Sequence, residues 1–280
     1  MYEQKINFAF FGTPDVSSET LEILKNNGYL PSLIVTSPDK PQGRKMLLTS
    51  SPVKNWAIEN NIPFTQPEKI GEDFTNKLSK ENFDLFIVVA YGKILPENFI
   101  NIPKFGSINI HYSLLPRYRG ASPVESAVLN GDKETGVSIQ KMEYKMDSGP
   151  IIALEKIEIL PNEKSIELRK RLIVIGATLL IKTLPDFMES KITLLKQDEN
   201  DATYCKKIKK EDGLVDINIE SAENLYNKFR AYFKWPRIFF FQEEKRIIIT
   251  DAALENQKFV IKKVLPEGKK EINYSNFLNS

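Results

Sequence analysis

The residues best placed to do chemistry stand in SINIHY, residues 107–112, where Asn109 and His111 are two positions apart. In an extended strand that spacing puts both polar side chains on one face, with Ile108 and Ile110 on the other. Polar groups converging at the carboxyl end of a sheet strand sit where open α/β folds bind their ligands. His111 is the only histidine in the chain, so any acid–base chemistry done by an imidazole is done by this residue. For an isolated Asn-x-His, a histidine merely satisfied by hydrogen bonds at a strand edge is about as common as a functional one. The next residues, Ser113, Leu114, Leu115 and Pro116, open an apolar stretch that either plugs the core or floors a pocket for an aromatic ligand. Further on, MDSGPII places Asp147 in a turn. There a carboxylate either caps its own backbone or orients a strand-end imidazole, and spacing alone does not decide between the two.

These residues need a scaffold, and the chain supplies one. From residue 5 to about 157, short β-branched and aromatic runs alternate with helical stretches: KINFAFFG then SSETLEILKNN, PSLIVTS then SPVKNWAIENN, FDLFIVVAY then LPENFI, SINIHY then SPVESAVLNG. That rhythm predicts βαβ units and a Rossmann-like, mostly parallel sheet. FDLFIVVAY is apolar almost throughout, as a strand covered on both faces requires. Ser51 followed by Pro52 marks a helix start. GVSIQKM and IIALEKIEI read as later strands, and SIELRKRLIVIGATLLIKTLPDFM as a long helix ending at or just after Pro185. The GTP of residues 12–14 lacks both G-x-G-x-x-G and the P-loop pattern, so it reads as a tight strand-to-helix turn rather than a phosphate cradle.

Residues 189–204 are polar and aperiodic, which places a linker between a catalytic domain over 1–188 and a smaller domain over 205–280. The latter offers one helix, SAENLYNKFRAYF, and three strand runs: RIFFFQ, KRIIITDAAL and KFVIKKVLP. With 280 residues the chain exceeds the common domain size of ~100–150, in agreement with two domains. One cysteine and one histidine exclude a disulfide framework and the usual Cys/His zinc site. Net charge is +2, yet residues 205–280 carry 15 Lys and Arg against 11 Asp and Glu, a weak pointer to a polyanionic partner. No stretch nears the ~20 apolar residues of a membrane span, and no cleavage site follows the first strand, so a cytoplasmic protein is expected.

Along nearly its whole length the chain resembles the methionyl-tRNA formyltransferases, within the folate-dependent formyltransferase superfamily. The likeness rests on FFGTPDVSSETLEIL, SPDKPQGR, VVAYGKILP, NIHYSLLPRYRGASPVESAVLNGDKETGVSIQKM and MDSGPII, followed by the tail pieces KIKKEDGLVD and FRAYFKWP. The resemblance implies that Asn109, His111 and Asp147 form the catalytic set, and that 10-formyltetrahydrofolate donates a formyl group to the amine of initiator methionyl-tRNA without need of a metal. Asn109 and protonated His111 would then serve a developing oxyanion, with His111 and Asp147 moving the proton. It also implies folate contacts at Ser113, Leu114, Leu115 and Pro116, and at Lys93, Ile94 and Leu95 through backbone groups. The loop over 37–54 would reach the tRNA acceptor end, with Lys40, Arg44, Lys45 and Lys54 near phosphates.

Some positions depart from the family pattern. Tyr112 replaces a small residue or Pro and should point away from the catalytic face. The three strand runs of the tail imply a shortened OB-like β-barrel where relatives carry five strands. A monomer is expected. Two other readings compete: a folate-dependent N-formyltransferase acting on an amino-sugar nucleotide, and a non-catalytic nucleic-acid-binding module. A nicotinamide dehydrogenase fails on the missing glycine fingerprint.

Overall fold

The structure, a computed structural model, describes residues 6–43 and 46–279. In chain order the elements are β1 (Phe8–Gly12), α1 (Asp15–Asn26), β2 (Leu33–Val35), β3 (Lys40–Gln42), β4 (Leu47–Thr49), α2 (Pro52–Glu59), β5 (Phe64–Thr65), α3 (Glu72–Leu78), β6 (Leu85–Val89), α4 (Glu97–Ile100), β7 (Ser107–His111), β8 (Arg119–Gly120), α5 (Pro123–Leu129), β9 (Glu134–Lys141), β10 (Ile151–Glu158), α6 (Ser165–Met188), β11 (Tyr204–Cys205), α7 (Ala222–Ala231), β12 (Phe239–Gln242), β13 (Lys245–Glu255), β14 (Lys258–Pro266), β15 (Ile272–Asn273) and α8 (Tyr274–Leu278).

Seven strands make one sheet in the order β10-β9-β7-β6-β1-β2-β5. The pairings β1–β2, β1–β6, β2–β5 and β6–β7 are parallel, and β7 meets β9 antiparallel. The mostly parallel α/β sheet expected from the alternating pattern is present. Every residue of β1 and β6 is buried, which explains their unbroken apolar sequences. Around them Phe11, Phe86 and Phe99 pack as tilted and edge-on rings into an aromatic core, with the Phe11 and Phe86 ring centroids 4.9 Å apart.

From β1 the chain proceeds to β2 on one side, and β6 occupies the other, so the connections diverge between β1 and β6. Such a divergence opens a crevice at the carboxyl ends of the strands. Hydroxyls fix its loops: Thr13 Oγ1 donates to the Tyr91 carbonyl at 3.1 Å and Ser17 Oγ to the Val89 carbonyl at 2.6 Å. A Cβ on Gly12 would lie 2.6 Å from Ser17 Cβ, so the turn from β1 into α1 depends on glycine, in line with the tight-turn reading of GTP. Ser51 accepts a hydrogen bond from the Lys54 amide at 3.1 Å, capping α2 with Pro52 at its first position. The long helix spans the segment expected of it, and Pro185 lies inside its last turn. The loop over 37–54 contains a short hairpin, β3 against β4, which the Pro and Gly of its sequence had concealed.

The chain forms two compact units. One holds the chain up to Arg117 together with Gly136–Glu155 and Arg171–Ala202; the other holds Tyr118–Thr135, Lys156–Lys170 and the chain from Thr203 onward. A single cut at 189–204 does not describe this exchange of segments. Within the second unit β8 pairs with β11, the Tyr118 amide donates to Thr203 Oγ1 at 2.9 Å, and Ser165 Oγ donates to the Ala231 carbonyl at 2.7 Å. Side-chain ties of this kind join residues 118–135 and 156–170 to the C-terminal part, and local composition cannot reveal them. Residues 189–204 are also more ordered than a linker: Leu195 bridges Ile151 and Gln197 is buried.

The C-terminal sheet is antiparallel, in the order β12-β13-β14-β15, and Leu214 adds a parallel bridge to Phe239. Its first three strands are the three runs read from the sequence. The fourth, β15, has only two residues and carries too little pattern to be read. A register shift between Ile249 and Ala252 bends β13. Among the described residues β12 and β15 remain the two ends of this sheet. No helix among them is long and apolar enough to cross a membrane.

Candidate active site

Strand β7 carries Asn109 and His111 to the carboxyl end of the sheet. Across the antiparallel pairing Asn109 stands opposite Gln140 and His111 opposite Ser138, while Ile110 faces Ile139. Directly paired residues share a face, so four polar side chains line one side of these two strands. The other side is apolar. There Tyr112, 8% exposed, comes with Ile110 and Val137 against Gly176 of α6, so it points away from Asn109 and His111 as alternation requires.

His111 is buried, and its Nδ1 lies 3.7 Å from Asp147 Oδ1. That is longer than a hydrogen bond but close enough for the carboxylate to orient the ring. Asp147 occupies the turn between β9 and β10 with φ 51°, a left-handed conformation that Asp tolerates better than most residues. The turn folds tightly back on β9: a Cβ on Gly149 would fall 1.8 Å from the Lys141 carbonyl oxygen, and the Lys141 amide donates to the Pro150 carbonyl at 2.9 Å. Gln197 Nε2 donates to the backbone carbonyls of Asp147 at 2.9 Å and Gly149 at 2.7 Å. Gln140 Nε2 donates to Asp147 Oδ1 at 2.9 Å. The structure thus brings Asn109, His111 and Asp147 together, with Gln140 holding the Asp147 carboxylate and Gln197 its backbone.

The SLLP segment is pinned by Ser138, whose Oγ accepts from the Leu115 amide at 3.0 Å and donates to the Ser113 carbonyl at 2.8 Å. Ser113 is fully buried, and its Oγ donates to the Arg117 carbonyl. Leu115 is core, Leu114 lies against Gly136, and Pro116 is half-buried. In the loop after β6, Ile94 is 76% exposed whereas Leu95 belongs to the aromatic core beside Tyr91 and Phe99. Lys93 does not project freely: its Nζ donates to the carbonyls of Pro67 at 2.5 Å and Glu68 at 2.8 Å. Burial, and secondarily the positive charge of Lys40, push its ammonium below the usual lysine range. Burial also pushes the Tyr91 hydroxyl up to about 12.

The expected tRNA contacts do not form one visible cluster. Lys40 is exposed on β3, but Lys54 pairs with Asp39 at 2.6 Å, and that hydrogen bond, with one from Gln66, holds the Asp39 carboxyl below its ordinary range. Arg44 and Lys45 lie outside the described residues. Next to them the hairpin exposes Met46, Leu47 and Leu48, at 67%, 65% and 72%.

Ser138, Gln140 and Gln197 escaped the sequence reading. For the first two a signal existed: VSIQ alternates polar with apolar in a strand that is otherwise fully covered, so Ser138 and Gln140 must face something polar. Nothing local marks Gln197, which sits in a polar stretch 50 residues from the turn it holds.

The sheet order, the crevice at the carboxyl ends of β1, β6 and β7, and an imidazole with a carboxamide and a carboxylate around it define a formyl-transferring α/β protein. The sequence profile of the family described as formyl transferase matches residues 4–184, and that described as formyl transferase, C-terminal domain, matches 207–260. Among curated relatives, the methionyl-tRNA formyltransferase of Caldicellulosiruptor saccharolyticus is 42% identical over 90% of this chain and 82% of its own length. That of Dictyoglomus turgidum is 38% identical over 96% of this chain and 95% of its own. The chain belongs to the methionyl-tRNA formyltransferase family. Among solved structures, the N-formyltransferase from Helicobacter canadensis in complex with folinic acid and dTDP-3-aminofucose shares the fold, with TM-score 0.65 and 20% identity over 90% of this chain and 88% of that one.

Proposed function

We propose that this protein transfers the formyl group of 10-formyltetrahydrofolate to the free amine of methionyl initiator tRNA. The observation that carries the reading is the convergence of buried His111 with half-buried Asn109 and Asp147 at one strand end, in a chain about 40% identical to curated methionyl-tRNA formyltransferases. The folate supplies an activated one-carbon group; the residues do the rest. The Asn109 amide and the protonated imidazole of His111 donate to the oxygen that gains charge, and each such donor typically lowers the barrier by ~2.7–4 kcal/mol. Asp147 orients the His111 ring through Nδ1, leaving Nε2 to face the reacting groups. As the amine bonds to the formyl carbon its proton passes to the Asp147 carboxylate and on to the folate nitrogen, whose bond to that carbon breaks as tetrahydrofolate leaves, while His111 keeps its own proton; such a relay is worth ~10²–10⁴-fold.

The folate is held along Ser113–Pro116 and the loop after β6. Exposed Ile94 and half-buried Leu114 offer apolar surface there, as a flat aromatic ligand needs, while Leu95 and Leu115 support them from the core and Lys93 fixes the loop. The hairpin over 40–49 and the basic segment from 205 onward contact the tRNA, with Lys40, Arg44 and Lys45 nearest its phosphates. The family matches over 4–184 and 207–260 support a catalytic role for 1–188 and a tRNA-binding one for 205–280, even though residues 118–135 and 156–170 fold into the same compact unit as the latter. The protein works as a cytoplasmic monomer.

The deciding experiment supplies purified protein with 10-formyltetrahydrofolate and either methionyl initiator tRNA or a dTDP-linked amino sugar. Formylation of the tRNA with none of the sugar is expected; the reverse preference assigns the protein to sugar modification, and transfer to neither removes the reading.

A further inference from the structure

Gln140 has no part in the reading above, yet it touches the proposed machinery more closely than His111 does. It lies on β9 directly opposite Asn109 and is 2% exposed. Its Nε2 is 2.9 Å from Asp147 Oδ1, the same oxygen that stands 3.7 Å from His111 Nδ1. One carboxylate oxygen is therefore shared, and the carboxamide is the nearer partner. At its other end Gln140 Oε1 is buried without a hydrogen-bond partner among the described residues. An unpaired buried carbonyl costs stability, and an apolar side chain of the same length would avoid that cost. The residue is thus a poor choice for packing and a good one for holding a carboxylate.

We propose that Gln140 is a positioning residue for formyl transfer: its amide fixes the Asp147 carboxylate beside His111 and limits how strongly that carboxylate engages the ring. The assignment rests on Asn109, His111 and Asp147 acting as the reading above states. With the Gln140 donor gone, Asp147 Oδ1 can move the short distance onto His111 Nδ1, which strengthens the ring's hold on its proton and turns Nε2 away from the reacting groups.

The test compares the unchanged protein with Gln140→Met, which keeps length and bulk. Three results are expected together: kcat for tRNA formylation falls at least tenfold, the KM values for folate and tRNA stay within twofold, and the melting temperature is unchanged or higher. A purely structural role would instead lower the melting temperature, and that outcome, or a kcat within twofold of the unchanged protein, overturns the proposal. Because His111 is the only histidine, its imidazole signals in an NMR titration report on this site alone. Their midpoint should move upward in Gln140→Met, and a midpoint that stays put also overturns the proposal. This readout needs no turnover. If the unchanged protein fails to formylate tRNA while the midpoint still moves, the substrate reading has failed and the contact assigned to Gln140 has not.

Discussion

Two regions of the first compact unit present opposite solutions to meeting a ligand. At the ends of β7 and β9, Asn109, His111, Ser138, Gln140 and Asp147 sit in two paired strands and a turn, at least half-buried, with Ser138, Gln140 and Asp147 fixed by side-chain hydrogen bonds of 2.8–3.0 Å. In the hairpin of β3 and β4, Met46 before β4 and Leu47 and Leu48 within it stand out in solvent, and Lys54, beyond the hairpin, is already paired with Asp39. The roles proposed for the two regions account for the difference. Charge that develops during bond making is stabilised only by groups already aimed at it, so a catalytic set must be placed to within a fraction of an ångström and kept from water. A surface that grips a large polyanion gains from many weak, adaptable contacts and tolerates mobility.

The largest effect belongs to His111→Ala, which should lower kcat by ~10²–10⁴-fold with KM for tRNA nearly unchanged; steady-state kinetics that show less than a tenfold loss would mean the buried cluster is not catalytic. Next is Gly149→Ala. The added methyl meets the Lys141 carbonyl, so the turn must shift and carry Asp147 with it. We expect kcat to fall by at least tenfold and the melting temperature to drop by a few degrees, the scale of a ~1–3 kcal/mol loss; an active, equally stable variant would show that the turn has slack.

On the hairpin, the double change Leu47→Ser and Leu48→Ser should raise the KM for tRNA several-fold while kcat and melting temperature hold, because neither leucine is buried. A loss of stability there would erase the contrast between the two regions. The smallest effect is expected of Lys54→Met. Lys54 keeps the folded-state Asp39 carboxyl below its unfolded value, so this pairing stabilises the protein above the ordinary carboxylate range, about pH 4, and is lost as the pH falls through the depressed value. The variant should melt slightly lower than the unchanged protein at neutral pH and equally at strongly acid pH. Melting curves across pH check this, and a gap that persists in acid would assign Lys54 a role beyond Asp39.

Much of the scaffold was legible because its causes are local. The buried strands announce themselves by unbroken apolar runs, α2 by Ser51 and Pro52, α6 by 24 residues of sustained periodicity, and the shared face of Asn109 and His111 by the two-residue period of a strand. Elements of two residues such as β8, β11 and β15 carry no such period and were invisible.

The sequence by itself determined the Rossmann-like sheet, the one imidazole available to it and the polar pair at the strand end, since each depends on residue type and near neighbours. Only the tertiary structure decided that Asp147 meets His111, that Gln140 and Gln197 hold the turn bearing it, that Leu95 and Leu115 belong to the core, and that residues 118–135 and 156–170 group with the C-terminal part. Those outcomes rest on contacts between residues from 7 to 87 positions apart, and such contacts exist only once the chain has closed on itself.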